Sequence, residues 1–455
     1  MTEKTTTGTK TIQEILKEKN LSIPNYQRPY KWSEKHIHQL LDDLYFHFDK
    51  DRDYQLGTII IHNNENSLKI VDGQQRLISL SLLFYALKPD KELPLLKQGR
   101  DNLNAENKQQ IINNYQLITS FINLRLADKV KKQAFLEKIE NYKMGYIEIT
   151  DLDEAFQLFD SQNSRGKPLE AYDLLKAYHL REKFDNEKNK LQYVKKWEEA
   201  ADATEANLKQ VIGDMLYPLR KWYKNEKYLH YFSRQHIDMF KGAKPEQNDP
   251  YLLAIYASRA IHQIQAQFHY LVDKKFSQSY FSVNQPIING ELFFEYVIHY
   301  IEVYHFLFNQ EKGYLSKDFY LLKNLKNSEK YKKENYKSLF DFIHSYNGSH
   351  RTGDGYIREL FKCLIFRYYD KFGYNKLDEA VNLCFRWCYK LRLENGTLFY
   401  NIIEDKLLYP NKNSLLRYLE NASSAEEFLR YPITKINKVE RNDLDYLENI
   451  INGEL

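Results

Sequence analysis

Lys69-Ile70-Val71-Asp72-Gly73-Gln74-Gln75-Arg76-Leu77 decides the reading of this chain, because an apolar strand runs straight into Asp-Gly and leaves it as an apolar-periodic helix. At such a junction the first helical N–H groups have no partner within the helix, and the helix dipole is positive. A phosphate fits that geometry. Asp72, Gln74, Gln75 and Arg76 add acceptors, donors and a fixed positive charge within one turn, more polar chemistry than starting a helix requires. A plainer reading keeps Asp72 as an N-cap and Arg76 as a solvated surface residue.

Outward from this turn, Tyr54 to Ile61 and Leu68 to Val71 read as two strands joined by a polar turn. Gln75 to Leu87 is a helix that Lys88-Pro89 ends. Residues 1–8 are Thr-rich and are expected to be disordered, and helical periodicity begins at Thr11. Ile23 to Trp32 holds Pro24 and Pro29, which keep its backbone out of a helix. Ser33 starts the next helix, with Ile37, Leu40, Leu41, Leu44 and Phe48 on its apolar side. A helix near 105–125 and a third strand at Gly145 to Thr150 follow. Asp151 then caps a helix that breaks at Asn163-Ser164-Arg165-Gly166, and the chain turns helical again from Glu170. Beyond that point helices are expected almost exclusively, with loops near 242–250, 284–290, 347–355 and 409–413. The fold class is therefore α+β and predominantly helical: a small mixed α/β domain at 9–185, then a large all-helical domain at 186–455, in one bundle or two.

A chain of 455 residues suffices for two or three domains, and a net charge of +4 is too mild to point to nucleic acid by itself. Cys363, Cys384 and Cys388 are too few for a disulfide framework. Cys384 and Cys388 lie one helical turn apart without the further ligands a zinc site needs, and read as buried helix-face thiols. No run of about 18 apolar residues occurs, and Met1 to Gly8 lacks the apolar core of a signal peptide. The expected location is the cytoplasm, with no membrane partner. The 37 tyrosines and 26 phenylalanines suit helix packing and, alternatively, base stacking.

Two further polar clusters sit at backbone breaks. In Tyr26-Gln27-Arg28-Pro29-Tyr30-Lys31-Trp32 the Arg28 guanidinium has the fork geometry for phosphate oxygens, while Tyr26, Tyr30 and Trp32 offer flat faces to a base or plug a core. In Phe159-Asp160-Ser161-Gln162-Asn163-Ser164-Arg165-Gly166 a helix stops and Arg165 lies in the turn. Asp173 and Lys176 then share a helix face at i, i+3 spacing, where a solvated ion pair is the alternative. The basic stretch Lys312 to Lys337, which includes Lys326, Lys332 and Lys333 among tyrosines, suits DNA phosphates or a solvated helix face. Glu329 and Glu334 dilute its charge.

In order along the chain, Ile23-Pro24-x-Tyr26-Gln27-Arg28-x-Tyr30-x-Trp32, Leu56-Gly57-x-Ile59, Ile70-Val71-Asp72-Gly73-Gln74-Gln75-Arg76-Leu77 and Phe159-x-x-x-Asn163-x-Arg165-Gly166-x-x-Leu169-x-x-x-Asp173-Leu174-Leu175-Lys176 resemble the N-terminal domain of GmrSD-type restriction proteins. The resemblance spans residues 20–180. It implies a ParB-like N-terminal fold and a part in bacterial type IV, modification-dependent restriction of phage DNA. It also implies binding and hydrolysis of a nucleoside triphosphate, GTP or ATP, with a divalent cation such as Mg.

On phosphoryl-transfer logic, the catalytic residues are expected to be Asp72, Gln74, Gln75 and Arg76, with Asp72 also holding the metal. Tyr26, Gln27, Arg28, Gly73, Asn163, Arg165, Gly166 and Lys176 are expected to bind the nucleotide. Tyr30, Trp32, Lys326, Lys332 and Lys333 are expected at DNA. Many members of that family carry a C-terminal His-Asn-His nuclease. The nearest candidates here, His344 and His350, have helix–loop–helix flanks that do not match it. The chain is thus expected to be the sensing and nucleotide-hydrolysing component, with a separate nuclease-bearing partner or as a homo-oligomer. The rivals are a non-hydrolysing adaptor for modified DNA and, last, a DNA nuclease in its own right.

Overall fold

The computed structural model of the chain describes residues 5–24, 27, 30–64, 67–89, 93–98, 105–151, 154–155, 158, 170–182, 184, 187–228, 231–244, 250–267, 281–317, 336–408, 414–436, 439–440, 444 and 447–452. They divide between two compact units, Met1–Leu169 and Glu170–Leu455. The division falls just before the helix that follows Glu170.

The first unit opens with a strand, Thr5–Thr11 (β1), paired antiparallel with Lys143–Ile149 (β5) from Thr5 opposite Ile149 to Thr11 opposite Lys143. The expectation of disorder over residues 1–8 is therefore corrected for Thr5 to Gly8. Threonine favours an extended backbone, and the exposed polar side chains of β1 conceal a strand whose order comes from distant pairing. Thr11 then caps Ile12–Lys17 (α1). Its hydroxyl accepts from the Glu14 N–H at 3.2 Å, and the Glu14 carboxylate accepts from the Thr11 N–H at 2.7 Å.

Leu21–Ser22 (β2) lies parallel to Ser67–Asp72 (β4), and Gln55–Asn64 (β3) lies antiparallel to β4 and parallel to β5. The sheet order is β1-β5-β3-β4-β2. A parallel step from β3 to β5 requires a crossover. Gln74–Leu87 (α3), Pro94–Gln98 (α4), Ala105–Arg125 (α5) and Lys129–Glu140 (α6) lie between those strands in sequence. The core joins sheet residues such as Ile59, Ile61 and Ile70 to Leu77, Leu83 and Phe84 of α3. Glu34–Asp49 (α2) adds Ile37, Leu40, Leu41 and Leu44, a helical stripe.

Helix α3 is buried along nearly its whole length. Its two buried serines satisfy themselves locally, Ser79 donating to the Gln75 carbonyl at 2.9 Å and Ser81 to Leu77 at 2.8 Å. A helix so enclosed fixes the position of its own N terminus. That N terminus is the Asp-Gly-Gln-Gln-Arg turn.

The second unit consists, among its described residues, of helices and loops with one isolated β-bridge between Ala243 and Ile288. It includes Ala171–His179 (α7), Glu187–Asp202 (α8), a π-helical segment Lys209–Leu216, Glu291–Phe308 (α9), Leu339–Ser345 (α10), Thr352–Phe372 (α11) and Leu377–Leu393 (α12). Cys363, Cys384 and Cys388 are buried free thiols on α11 and α12, and burial pushes all three up. No described helix is long and apolar enough to cross a membrane.

The core of this unit also holds charge. Arg392 on α12 pairs with Asp354 on α11 at 3.0 Å, both buried, and the Tyr346 hydroxyl donates to Asp354 at 2.6 Å. Removing one partner strands the other in a dry interior. Arg392→Leu should therefore destabilise the unit by about 3–5 kcal/mol, whereas Tyr346→Phe should cost about 1–3 kcal/mol. Urea unfolding of the two variants checks the order.

Candidate phosphate site at the strand-to-helix turn

At the end of β4 the chain turns through Gly73, whose φ of +90° lies in the left-handed region. A Cβ at this position would stand 2.5 Å from Ile59 Cγ2, so both conformation and space require glycine. Asp72 does not cap the helix from the N-cap position, which Gly73 occupies. Its carboxylate instead accepts the Gly73 N–H at 2.7 Å, and the first helical bond runs from the Leu77 N–H to the Gly73 carbonyl at 3.0 Å. The carboxylate is thereby aimed at the positive end of α3.

Arg76 lies in that first turn, and its guanidinium packs over Gly57 of β3. A Cβ on Gly57 would meet the guanidinium at 3.0–3.2 Å, and Gly57 itself has a φ of +65°. One bond holds the head group, from Nη1 to the Thr58 carbonyl at 3.3 Å. Among the described residues no carboxylate makes an ion pair with it. Burial pulls the Arg76 basicity down, and the negative field of Asp72, then of Tyr54, pushes it back. Arginine stays charged regardless. The result is a part-buried cation with unspent donors beside a helix N terminus.

The loop that precedes α2 is bound to this turn by side-chain amides. Gln27 donates to the carbonyls of Ile70 at 3.2 Å and Val71 at 2.6 Å, continuing along β4 where the short β2 has ended. Gln75 returns the tie, its Oε1 accepting from the Lys31 N–H at 2.7 Å and the Trp32 N–H at 3.2 Å. Tyr30 is buried to 1 % exposure, its hydroxyl 2.7 Å from Ser79 Oγ and accepting from Asn114 Nδ2 at 3.0 Å. Burial pushes its hydroxyl up, and the bonds to Ser79 and Asn114 oppose that. Asn114, fully buried on α5, also donates to the Trp32 carbonyl at 2.7 Å.

These contacts sort the expected site residues. Asp72, Gly73 and Arg76 meet at one turn, and Gln74 is buried in the same turn. Gln27 and Gln75 hold the loop against it, the Gln75 carbonyl oxygen being committed to the two backbone amides of Lys31 and Trp32. Tyr30 is corrected from a DNA contact to a core residue. Trp32 is half-buried against the core and stacks on His36, with centroids 5.8 Å apart. Lys176 is corrected from a nucleotide contact: it is 1 % exposed in the second unit, ion-paired with Glu198. His344, whose flanks do not match a nuclease motif, has its Nδ1 2.7 Å from the Phe340 carbonyl and its Nε2 3.2 Å from Lys362 Nζ. Tyr26, Arg28, Asn163, Arg165, Gly166, Lys326, Lys332 and Lys333 lie outside the described residues.

Asn114 was missed by sequence reasoning. Its signal was a polar residue on the apolar stripe of α5 between Ile111 and Ile118. As to metal, no group of three His, Cys, Asp or Glu gathers among the described residues. A single carboxylate fits magnesium, which takes one or two carboxylates and completes its shell with phosphate oxygens and water.

Two families match the chain. Residues 12–180 match the GmrSD restriction endonuclease N-terminal domain, and residues 189–446 match a family of unknown function (DUF7834). No curated protein matches it.

Asn114→Ala removes donors to Tyr30 and Trp32 and leaves buried acceptors unmet. It should destabilise the first unit by about 2 kcal/mol. Gly57→Ala should cost about 1–2 kcal/mol for its left-handed backbone and displace the Arg76 guanidinium. Thermal unfolding reads both changes.

Proposed function

We propose, because the chain belongs to the family of unknown function (DUF7834) and carries the GmrSD restriction endonuclease N-terminal domain of a type IV restriction system, that its β4–α3 turn binds and hydrolyses a nucleoside triphosphate. The observation that carries this reading is Arg76: a part-buried guanidinium that spends one donor on Thr58 and has no ion pair among the described residues. Desolvating a cation without a partner is costly. A phosphate chain at the N terminus of α3 would supply that partner, accepting from the guanidinium and from the first-turn amides.

In this reading each residue has a separate task. Arg76 neutralises charge on the phosphate oxygens. Asp72, aimed at the same end of the helix, orients the attacking water and holds the magnesium ion, which when bound supplies further charge neutralisation. Gln74 contributes a side-chain amide to the turn, while Gln75, Gln27 and Asn114 keep the loop over it in place. Catalysis by positioning and charge stabilisation suits phosphoryl transfer, which asks little covalent chemistry of the protein. Hydrolysis would control cleavage of modified phage DNA by a partner nuclease.

The rival adaptor reading has lost its first aromatic recogniser, because Tyr30 is core. Titration of the purified chain with GTP and ATP in magnesium tests the proposal. Wild type should turn over nucleotide. Arg76→Ala should weaken nucleotide binding about ten- to a hundredfold, the worth of a charge-assisted bond, and Asp72→Ala should abolish turnover while retaining binding. Turnover in wild type no greater than in Asp72→Ala refutes the enzymatic reading. Salt-sensitive DNA binding together with indifference to nucleotide would establish the adaptor instead.

A further inference from the structure

Tyr54 leads into β3, three residues before the glycine over which the Arg76 guanidinium packs, or about 10 Å of extended chain. Between Gln55 and Thr58, three residue steps of β3 match two of β5, a bulge that shortens and bends this stretch. The half-buried Tyr54 ring packs against the core that holds Leu56, Ile59 and Leu77, so it lies on the face of the sheet that carries α3. A tyrosine side chain placed there reaches toward the head group of Arg76.

Two rings hold the phenol in place. His47 on α2 stacks on it, with centroids 4.1 Å apart and planes inclined by 15°, and Tyr142 meets it edge-on at 5.8 Å. The Tyr54 carbonyl accepts the Lys143 N–H at 3.0 Å, which fixes the backbone as well. The hydroxyl, by contrast, makes no hydrogen bond to any described residue. Burial first, then the Asp43 carboxylate on α2, pushes that hydroxyl up, against the field of Arg76, so it keeps its proton at neutral pH and can donate.

An oriented donor with no acceptor, beside a guanidinium with unspent donors, suits an anion longer than one phosphoryl group. We propose that Tyr54 is a further phosphate-binding residue, its hydroxyl and the Arg76 guanidinium gripping successive phosphoryl groups of a polyphosphate chain. This rests on the reading of the β4–α3 turn as a nucleoside triphosphate site, and it names the part of the substrate that the site recognises. The first-turn amides of α3 and Arg76 hold one phosphoryl group, and Tyr54, from the start of β3, holds the next. Arg76 supplies charge, whereas the phenol adds direction and leaves the charge of the site unchanged. Because His47 and Tyr142 already fix the ring, little side-chain freedom is lost when the chain of phosphates binds.

Inorganic tripolyphosphate is the probe, titrated calorimetrically into the full chain in magnesium. Tyr54→Phe removes one oxygen, keeps the ring against His47 and takes no hydrogen bond from the described fold. It should weaken tripolyphosphate binding about tenfold, the worth of a bond to a charged acceptor, and leave the melting temperature unchanged. A residue that served packing alone would show the reverse pattern. Tripolyphosphate affinity in Tyr54→Phe within about twofold of wild type overturns the proposal. Where Arg76→Ala still weakens that binding, the nucleotide reading survives without Tyr54. Wild type that binds neither tripolyphosphate nor nucleotide overturns both.

Discussion

The side-chain carbonyl of Gln75 receives the amides of Lys31 and Trp32, and the arrangement of the first unit around its turn depends on that grip. The segment it holds contains two prolines and cannot join a helix or a central strand, so its backbone groups need partners from elsewhere. Gln75 is fixed because α3 is enclosed by the core, and through it the loop inherits the position of the helix. Gln27 fastens the same loop to β4 from the opposite direction. Gln27 and Gln75 thus fasten the described residues of that segment, Gln27 and Lys31 with Trp32, to the strand and to the helix.

That rigidity gives the neighbouring charges their meaning. A guanidinium on a mobile surface would gather water, whereas Arg76 is confined between β3 and the first turn of α3 and exchanges much of its water for fixed dipoles. The glycine beneath it and the glycine before it serve different ends. Gly57 provides space for the head group, and Gly73 provides the backbone bend that aims the helix and the Asp72 carboxylate together. The second unit manages buried charge by the opposite means, pairing it, as Arg392 with Asp354 and Lys176 with Glu198.

Much of this organisation was legible in the sequence because its signals are local. Alternating and continuous apolar runs marked β3, β4 and β5, apolar periodicity marked α2 and α3, and the Asp-Gly dipeptide marked the turn from β4 into α3. What could not be read there depends on partners far along the chain. The threonines of β1 are ordered by a strand whose own sequence does not name them. Tyr30 and Trp32 looked alike as aromatics in a proline-flanked loop, yet one is sealed by Ser79 and Asn114 and the other lies half-buried over His36. Gln75 looked like a catalytic amide because its type and place fit one, and only the position of the Lys31 and Trp32 backbone shows its acceptor to be occupied. Lys176 kept the spacing of a ligand-binding residue while folding into an ion pair.

The pairing of β1 with β5 has a consequence for synthesis. The hairpin of β3 and β4 is complete early and can form while the ribosome is still translating the helices that follow. Strand β1 gains its hydrogen-bonding partner only when β5 emerges more than 130 residues later, since Thr11 pairs with Lys143. Until then its edge is open to other chains. Threonines and a lysine, rather than valines and isoleucines, give a nascent strand little apolar surface with which to stick to its neighbours on a polysome.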